Sequence, residues 1–291
     1  MKKLLIPTDF SDISKNSIVY GFHIAELLNL EVNLVHVLEL YKFAAGTSEA
    51  ELISTILPAD NIQEMEVAAT ESFTRLMDDI RSQYTSTAPY TIKVVAGHLI
   101  NEMVVQSGND DIEFMVLAVA GNQDLITRFT HNTISSIIND AVCPVLIVPS
   151  GFVFRIPSKV LLATDFNKSD LDVLSIFIHV FGQFTPDIEV VHIAPKVIDF
   201  KTELKFAGFK QLILERKDSS KIDFKLINNK HVVQGLLDTI KADDVDMLIM
   251  LKEHDSFFTS LFANKTERIA HYLKIPMISF HQTEIKKTKK S

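Results

Sequence analysis

The sequence contains an internal repeat, because the pattern of residues 1–149 begins again after Pro149. Four segments recur in the same order and keep their hydrophobic character: KKLLIPTDFSDIS returns as SKVLLATDFNKSD, NLVHV as EVVHI, NDDIEFMVLAV as ADDVDMLIMLK and CPVLIV as IPMISF. Ordered recurrence of this kind indicates a tandem duplication. We therefore predict a domain at 1–150, a second domain at 157–282 and a basic tail at 283–291.

Each copy has the pattern of an α/β domain with a parallel sheet. In the first copy, Lys2–Thr8 and Leu30–Val37 are short apolar runs, and a helix that Ser11 or Asp12 can cap lies between them. The stretch 115–149 then has the pattern of a strand, a glycine-bearing loop, a helix and a final strand. Continuous apolar strands are typical of parallel sheets with helices on both faces. The predicted fold is two tandem doubly wound α/β domains.

The expected ligand site lies where loops leave the carboxyl ends of the strands. The loop at Gly121 follows the apolar run Met115–Val119 and leads into a helix. Backbone N–H groups at a helix start favour phosphate. Two roles stay open for the aperiodic segment 38–61, which either covers this site or forms an interface.

Composition and charge exclude several classes of protein. The net charge of -8 argues against nonspecific nucleic-acid binding, which needs lysine and arginine to neutralise phosphates. The N-terminal apolar run Leu4–Ile6 stops at Pro7, far short of a membrane span. Cys143 is the only cysteine, so no internal disulfide can form, and no Cys/His spacing predicts a metal site. We predict a cytoplasmic protein that binds no nucleic acid, membrane or metal.

The ordered set of motifs resembles the universal stress protein family. These motifs are strand-PTDFS-helix, an LVHV strand, an apolar strand, a glycine loop, a helix and CPVLIVP, and the tandem copies are similar to two-domain members. The resemblance implies a five-stranded parallel sheet flanked by helices in each copy, an adenine nucleotide alpha hydrolase-like fold. It also implies that 145–148 and 277–280 pair across a pseudo-two-fold axis within the chain, and it allows a homo-oligomer.

Nucleotide-binding members of this family carry G-x2-G-x9-G-[ST] in the segment that corresponds to 118–132. Glycines let backbone amides approach phosphates, and the hydroxyl adds a donor. The motif is degenerate in the first copy, where its four positions hold Ala118, Gly121, His131 and Asn132. The resemblance also implies that four residues contact the adenine or the nucleoside: Pro7, Thr8, Asp9 and Val37.

The second copy lacks the phosphate loop. Its corresponding text, LKEHDSFFTSLFANKT, has no glycine, and Glu253 and Asp255 would repel a phosphate. We therefore predict no nucleotide in that half. The second copy nevertheless keeps the TDF motif, with Asp165 in the position of Asp9. Because the motif occurs there without a glycine loop, two interpretations of Asp9 stay open: a contact with adenine, or a carboxylate that caps a turn.

No catalytic residues are predicted. The chain has no P-loop, G-x-S-x-G elbow, HExxH or Rossmann glycine motif, which leaves only an incidental slow ATPase open. His36 and His192 lie in apolar strands and are predicted to be hydrogen-bonded strand histidines. Two functions remain. One is a non-enzymatic stress-response regulator that binds ATP or a related adenine nucleotide in the first domain, with Mg²⁺ only alongside it. The other is an interaction scaffold without nucleotide in either half. Both require an unidentified protein partner.

Overall fold

The computed structural model describes five stretches of the chain, residues 1–39, 59–119, 129–216, 221–252 and 274–281. The chain divides into two compact units, Met1–Cys143 and Pro144–Ser291. Most of the predicted excursion 38–61 lies outside the described residues. So do the segments that contain Gly121, Glu253 and Asp255, and the basic tail 283–291.

Unit 1 alternates strands and helices. Its elements are β1 (Lys3–Pro7), α1 (Asp12–Leu28), β2 (Glu31–Leu38), α2 (Ala59–Gln83), β3 (Tyr90–Ala96), α3 (Leu99–Ser107), β4 (Ile112–Val119) and α4 (His131–Asp140). The strands pair in parallel in the order β3-β2-β1-β4. Leu4, Leu5 and Ile6 in the central strand β1 are fully buried, as expected for a parallel strand that is covered on both faces.

Unit 2 begins with a strand that belongs to the first repeat. Its elements are β5 (Val145–Pro149), β6 (Lys159–Ala163), α5 (Lys168–Phe181), a 3₁₀ turn (Gly182–Phe184), β7 (Asp187–Ala194), α6 (Phe200–Leu214), β8 (Ile222–Asn228), α7 (Val232–Ala242), β9 (Met247–Lys252) and β10 (Met277–His281). Its strand order is β5-β10-β9-β6-β7-β8. The pairings among β6–β10 are parallel.

The predicted pairing of 145–148 with 277–280 is present, because β5 runs antiparallel to β10 with Met277 opposite Ile147. This pairing places β5 in unit 2 and moves the structural division to Cys143 and Pro144, ahead of the sequence boundary near 150. The α/β fold class is confirmed, because each unit has helices packed on mostly parallel strands, and each repeat supplies five strands.

Close helix packing shapes the carboxyl edge of the sheet in unit 2. A Cβ at Gly235 in α7 would lie 2.8 Å from Cβ of Asn229 and 3.0 Å from Cγ2 of Ile193. The glycine therefore lets α7 approach the end of β7 more closely than any larger residue would. Among the described helices, none is both long enough and apolar enough to cross a bilayer.

Candidate functional site

The turn after β1 is built around Thr8, which is 3% exposed. Its N–H donates to the Val35 carbonyl (2.9 Å), and its hydroxyl shares a hydrogen bond with Ser14 Oγ (2.9 Å). The N–H of Phe10 donates to the same threonine hydroxyl (3.0 Å). These bonds hold Phe10 in a left-handed conformation with φ of 64°, which is uncommon for an aromatic residue.

Asp9 lies in this turn and binds the helix start. Its Oδ1 accepts hydrogen bonds from the N–H (3.1 Å) and the hydroxyl (2.5 Å) of Ser11, the N-cap of α1. Ser11 Oγ in turn accepts the N–H of Ser14 at 3.2 Å. This geometry is that of the turn-capping interpretation. The contact of Asp9 with an adenine stays a prediction.

The other predicted residues of the first copy occupy several elements. Pro7 and Val37 are buried near the carboxyl ends of β1 and β2, and Ala118, near the end of β4, is buried in a cluster with Ile13 of α1. Gly121 lies outside the described residues. His131 and Asn132 begin α4, but their side chains are also outside the description. The structure thus brings Pro7, Thr8, Asp9, Val37 and Ala118 to one edge of the parallel sheet.

Each unit places a histidine beneath this turn. His36 Nδ1 lies 2.7 Å from the Thr8 carbonyl oxygen, and its ring is 4.4 Å from that of Phe10. In unit 2, His192 Nδ1 lies 2.7 Å from the Thr164 carbonyl oxygen, and its ring is 4.3 Å from the corresponding phenylalanine. A carbonyl oxygen only accepts, so Nδ1 carries the proton in both rings. The prediction of hydrogen-bonded strand histidines is confirmed.

The turn after β6 has the same backbone conformation as the turn after β1, but a buried carboxylate accepts its hydrogen bonds. Oδ2 of Asp170 accepts the Thr164 hydroxyl (2.6 Å) and the N–H groups of Asp165 (3.3 Å) and Asn167 (3.1 Å). Asp170 is 3% exposed, and Asn167, the N-cap of α5, completes a capping box with it. Burial raises the pKa of Asp170 to about 6, although its three hydrogen bonds oppose the shift.

Asp165 is exposed at the same turn. Its side chain is 60% exposed, and Oδ1 lies 3.5 Å from His192 Nδ1. The two aspartates therefore differ in environment, since Asp170 is enclosed by donors and Asp165 faces outward from the strand end.

A cavity of about 330 Å³ opens beside this turn at the carboxyl ends of β6, β7 and β9 and the start of α7. Its wall combines aliphatic side chains with two carboxyls and one imidazole. The lining residues are Ala163, Thr164, Asp165, Asn167, Asp170, Val191, His192, Ile193, Pro195, Val232, Leu236, Met250 and Leu251.

The repeat relates this cavity to the residues predicted in the first copy. When the two copies are aligned, Pro7, Thr8 and Asp9 correspond to Ala163, Thr164 and Asp165. In the same alignment, Val37 corresponds to Ile193 and Ala118 to Leu251. All five counterparts line the cavity. Asp170 has no such precursor, because Ser14 occupies its position in the first copy. Sequence reasoning missed Asp170, and the only available signal was its place three residues after a helix N-cap.

The described part of the chain also bears on metal binding. Within that part of the chain, no group of three or more histidine, cysteine, aspartate or glutamate side chains could hold an ion. Cys143 is buried and, as the only cysteine of the sequence, forms no internal disulfide.

Comparisons with known proteins identify the family. The sequence model of the universal stress protein family matches residues 1–149. A universal stress protein of Methanocaldococcus jannaschii is 24% identical over 152 residues, which are 50% of this chain and 81% of that protein. The crystal structure of a universal stress protein from Archaeoglobus fulgidus DSM 4304 is similar with a TM-score of 0.69 and 16% identity, covering 96% of this chain and 98% of that one. The chain belongs to the universal stress protein family.

Proposed function

We propose that the protein is a non-enzymatic regulator that binds a small adenine-containing ligand in the cavity of unit 2. The observation that carries this proposal is the cavity itself, at the carboxyl edge of a parallel sheet, where ligands of α/β proteins usually bind. Its volume of about 330 Å³ is at the lower end of the range of about 300–1,000 Å³ for small-molecule sites, and suits a nucleoside.

The chemistry of the wall supports a planar, partly polar ligand. Val191, Val232 and Leu236 offer aliphatic surface against which a base can pack. The exposed carboxylate of Asp165 can accept hydrogen bonds from an amino group and so fix the orientation of the base. The family resemblance assigns a contact with adenine to the corresponding residue of the first copy, Asp9.

A binding role is favoured over catalysis because the polar groups near the cavity are already engaged in the fold. The Thr164 hydroxyl donates to Asp170 and accepts the N–H of Phe166 at 2.9 Å, and the Thr164 carbonyl accepts His192 Nδ1. A nucleophile must also reach its substrate, whereas Thr164 is 6% exposed and its hydroxyl makes both of these hydrogen bonds within the turn. The ligand would instead act by favouring one conformation that an unidentified protein partner in the cytoplasm recognises.

A site for ATP or a related adenine nucleotide in unit 1 is the second candidate. It is supported by the family match over residues 1–149. It is also supported by the turn at Thr8 and Asp9, whose backbone conformation matches that of the turn beside the cavity in unit 2. Mg²⁺ would accompany the phosphates. Ala118 weakens this candidate, because it packs against Ile13 where the family motif has a glycine.

Calorimetric titration of the nucleotide-stripped full chain with adenosine, and with ATP and Mg²⁺, tests the proposal. The variant Val232→Phe fills part of the cavity, and Val233→Phe is the control, since Val233 is also half-buried on α7 but is not among the lining residues. We expect binding near one equivalent that Val232→Phe weakens by at least about tenfold and the control leaves unchanged.

Two results would contradict the cavity proposal. Binding that is insensitive to Val232→Phe would assign the ligand to the unit 1 candidate. No heat at millimolar ligand, with circular dichroism showing a folded chain, would favour the interaction scaffold.

A further inference from the structure

In unit 2, the buried carboxylate of Asp170 lies at the start of α5. Without it, the backbone N–H groups of this turn would be available to a phosphate. The Asp170 carboxylate takes the N–H groups of Asp165 and Asn167 and the hydroxyl of Thr164. Free N–H groups at a helix start are the usual donors for phosphate. Because Asp170 occupies these donors, the turn has fewer to offer an incoming anion, and the carboxylate repels it.

The presence of Asp170, where the first copy has Ser14, also changes which groups can hydrogen-bond to Asp165. In unit 1, the carboxylate of Asp9 accepts both the N–H and the hydroxyl of the N-cap, Ser11. In unit 2, the N-cap N–H of Asn167 is bound by Asp170 instead. The Asp165 carboxylate, 60% exposed at the cavity wall, can therefore accept hydrogen bonds from a ligand.

The acidic side chains of the described cavity wall are two carboxylates. Its ionisable lining residues are Asp165, Asp170 and His192, and the described lining includes no lysine or arginine. In a partly enclosed cavity, a phosphate would experience repulsion that water screens only weakly. An amino group or a positive charge would be attracted by the same carboxylates.

We infer that the cavity of unit 2 selects an unphosphorylated ligand that presents an amino group or a positive charge to Asp165, so that adenosine binds there in preference to AMP and ATP. This inference rests on the proposed function, because it names the ligand class of the same cavity. It also explains how a half without a phosphate loop can keep a ligand site.

The experiment compares adenosine, AMP and ATP with Mg²⁺ by calorimetry on the full chain. Only binding that Val232→Phe removes is assigned to the cavity. We expect adenosine to bind there at least about tenfold more tightly than AMP or ATP. Asp165→Asn should weaken adenosine binding by about tenfold, because the amide accepts with one oxygen only and carries no charge.

Asp223→Asn is the matched control, because it removes one charge from unit 2 at a side chain that is 67% exposed and outside the lining. It should leave adenosine binding unchanged. Asp170→Asn should narrow the preference for adenosine over AMP, since it removes the buried charge.

The outcomes separate this inference from the proposed function. If AMP or ATP binds in the Val232-sensitive cavity as tightly as adenosine, the proposed function stands and the selectivity is overturned. If none of the three binds there, the proposed function fails as well. If Asp165→Asn and Asp223→Asn weaken adenosine equally, a specific contact with Asp165 is overturned.

Discussion

The turns after β1 and β6 share a backbone but differ in the group at their centre. Phe10 and Phe166 have φ of 64° and 65°, and each N–H donates to the hydroxyl of the preceding threonine. In unit 1 that hydroxyl meets Ser14, whereas in unit 2 it donates to the buried carboxylate of Asp170. The two turns thus share a backbone conformation and differ in charge.

The shared scaffold extends to the rings beneath the turn. In unit 1, the Phe10 ring packs edge-on against Phe73 of α2, with centroids 4.9 Å apart. In unit 2, Phe166 packs near Phe209 of α6 at 5.8 Å. In both units, an aromatic side chain of the second helix after the turn packs against the phenylalanine of the turn. The same ring packing therefore surrounds a serine in unit 1 and a buried carboxylate in unit 2.

Replacing Asp170 by asparagine should have the largest effect on how stability depends on pH. Burial raises the pKa of Asp170 to about 6, above its ordinary 3.8, so the folded chain binds a proton between these values that the unfolded chain does not. The stability it contributes is greatest below the ordinary pKa and is lost as pH rises through about 6. The free energy of unfolding lost over this pH range approaches about 3 kcal/mol.

Urea unfolding of the wild type and Asp170→Asn between about pH 4 and pH 8 measures this difference. The free energy of unfolding of the wild type should fall relative to that of the variant as pH rises through the range. The charge of Asp165 adds to the raised pKa of Asp170 as a smaller cause than burial, and Asp165→Asn controls for it because that variant should lower the Asp170 pKa only modestly. Parallel curves for wild type and Asp170→Asn would contradict the assignment.

Introducing the charge into unit 1 tests the comparison in the other direction. Ser14→Asp places a carboxylate at a position that is 1% exposed, next to the Thr8 hydroxyl. Because the Thr8 hydroxyl can donate to it, as Thr164 does to Asp170, we expect a loss of only about 1–2 kcal/mol near neutral pH, smaller at low pH.

Ser17→Asp is the matched control for this variant. Ser17 is also 1% exposed, but its hydroxyl only donates to the Ser14 carbonyl, so a carboxylate there lacks the donors of the turn. It should cost clearly more than Ser14→Asp in chemical unfolding. Equal losses would show that the turn of unit 1 does not accommodate an anion.

The fold could be predicted from the sequence because its signals are local. Apolar runs, the cap at Ser11 and the repeated TDF motif indicate strands and turns without tertiary information. The pairing of 145–148 with 277–280 followed from family resemblance, and the structure has it. The assignment of β5 to the second unit was not predicted, because the repeated pattern ends at Pro149 and shows where a copy ends, not which unit its last strand contacts.

The cavity could not be predicted for a different reason. The missing glycines of the second half predict that it binds no phosphate, but they do not indicate whether there is space for a base. The walls come from β6, β7, β9 and α7, and residues such as Val191 or Met250 have the pattern of ordinary core. Asp170 likewise resembles a capping residue until its burial and its three donors are known.

Unit 1 has a half-buried carboxylate, Glu26, whose pKa is shifted in the opposite direction, and it gives the smallest predicted effect. Burial raises the pKa of Glu26, but hydrogen bonds from Tyr84, Thr87 and Ser86 outweigh it and lower the pKa to about 2. The stability it contributes is present above its ordinary 4.5 and is lost as pH falls toward about 2, the reverse of Asp170. Because Glu26 is only half-buried, Glu26→Gln should cost no more than about 1–2 kcal/mol at neutral pH.

The two carboxylates can be separated by the sign of their pH response. In urea unfolding, the cost of Glu26→Gln should disappear below about pH 3, whereas Asp170→Asn should change stability mainly between about pH 4 and 6. Glu215→Gln provides a control, since Glu215 is an exposed carboxylate at the end of α6 with one hydrogen bond from Gln211. A cost of Glu26→Gln that persists undiminished at low pH would mean that the side chain acts by packing, because Tyr84 would then lose no charge-assisted bond on acidification. Ionised carboxylates therefore have opposite effects in the two units: at Glu26 the charge stabilises unit 1, and at Asp170 the buried charge lowers the stability of unit 2 beside its cavity.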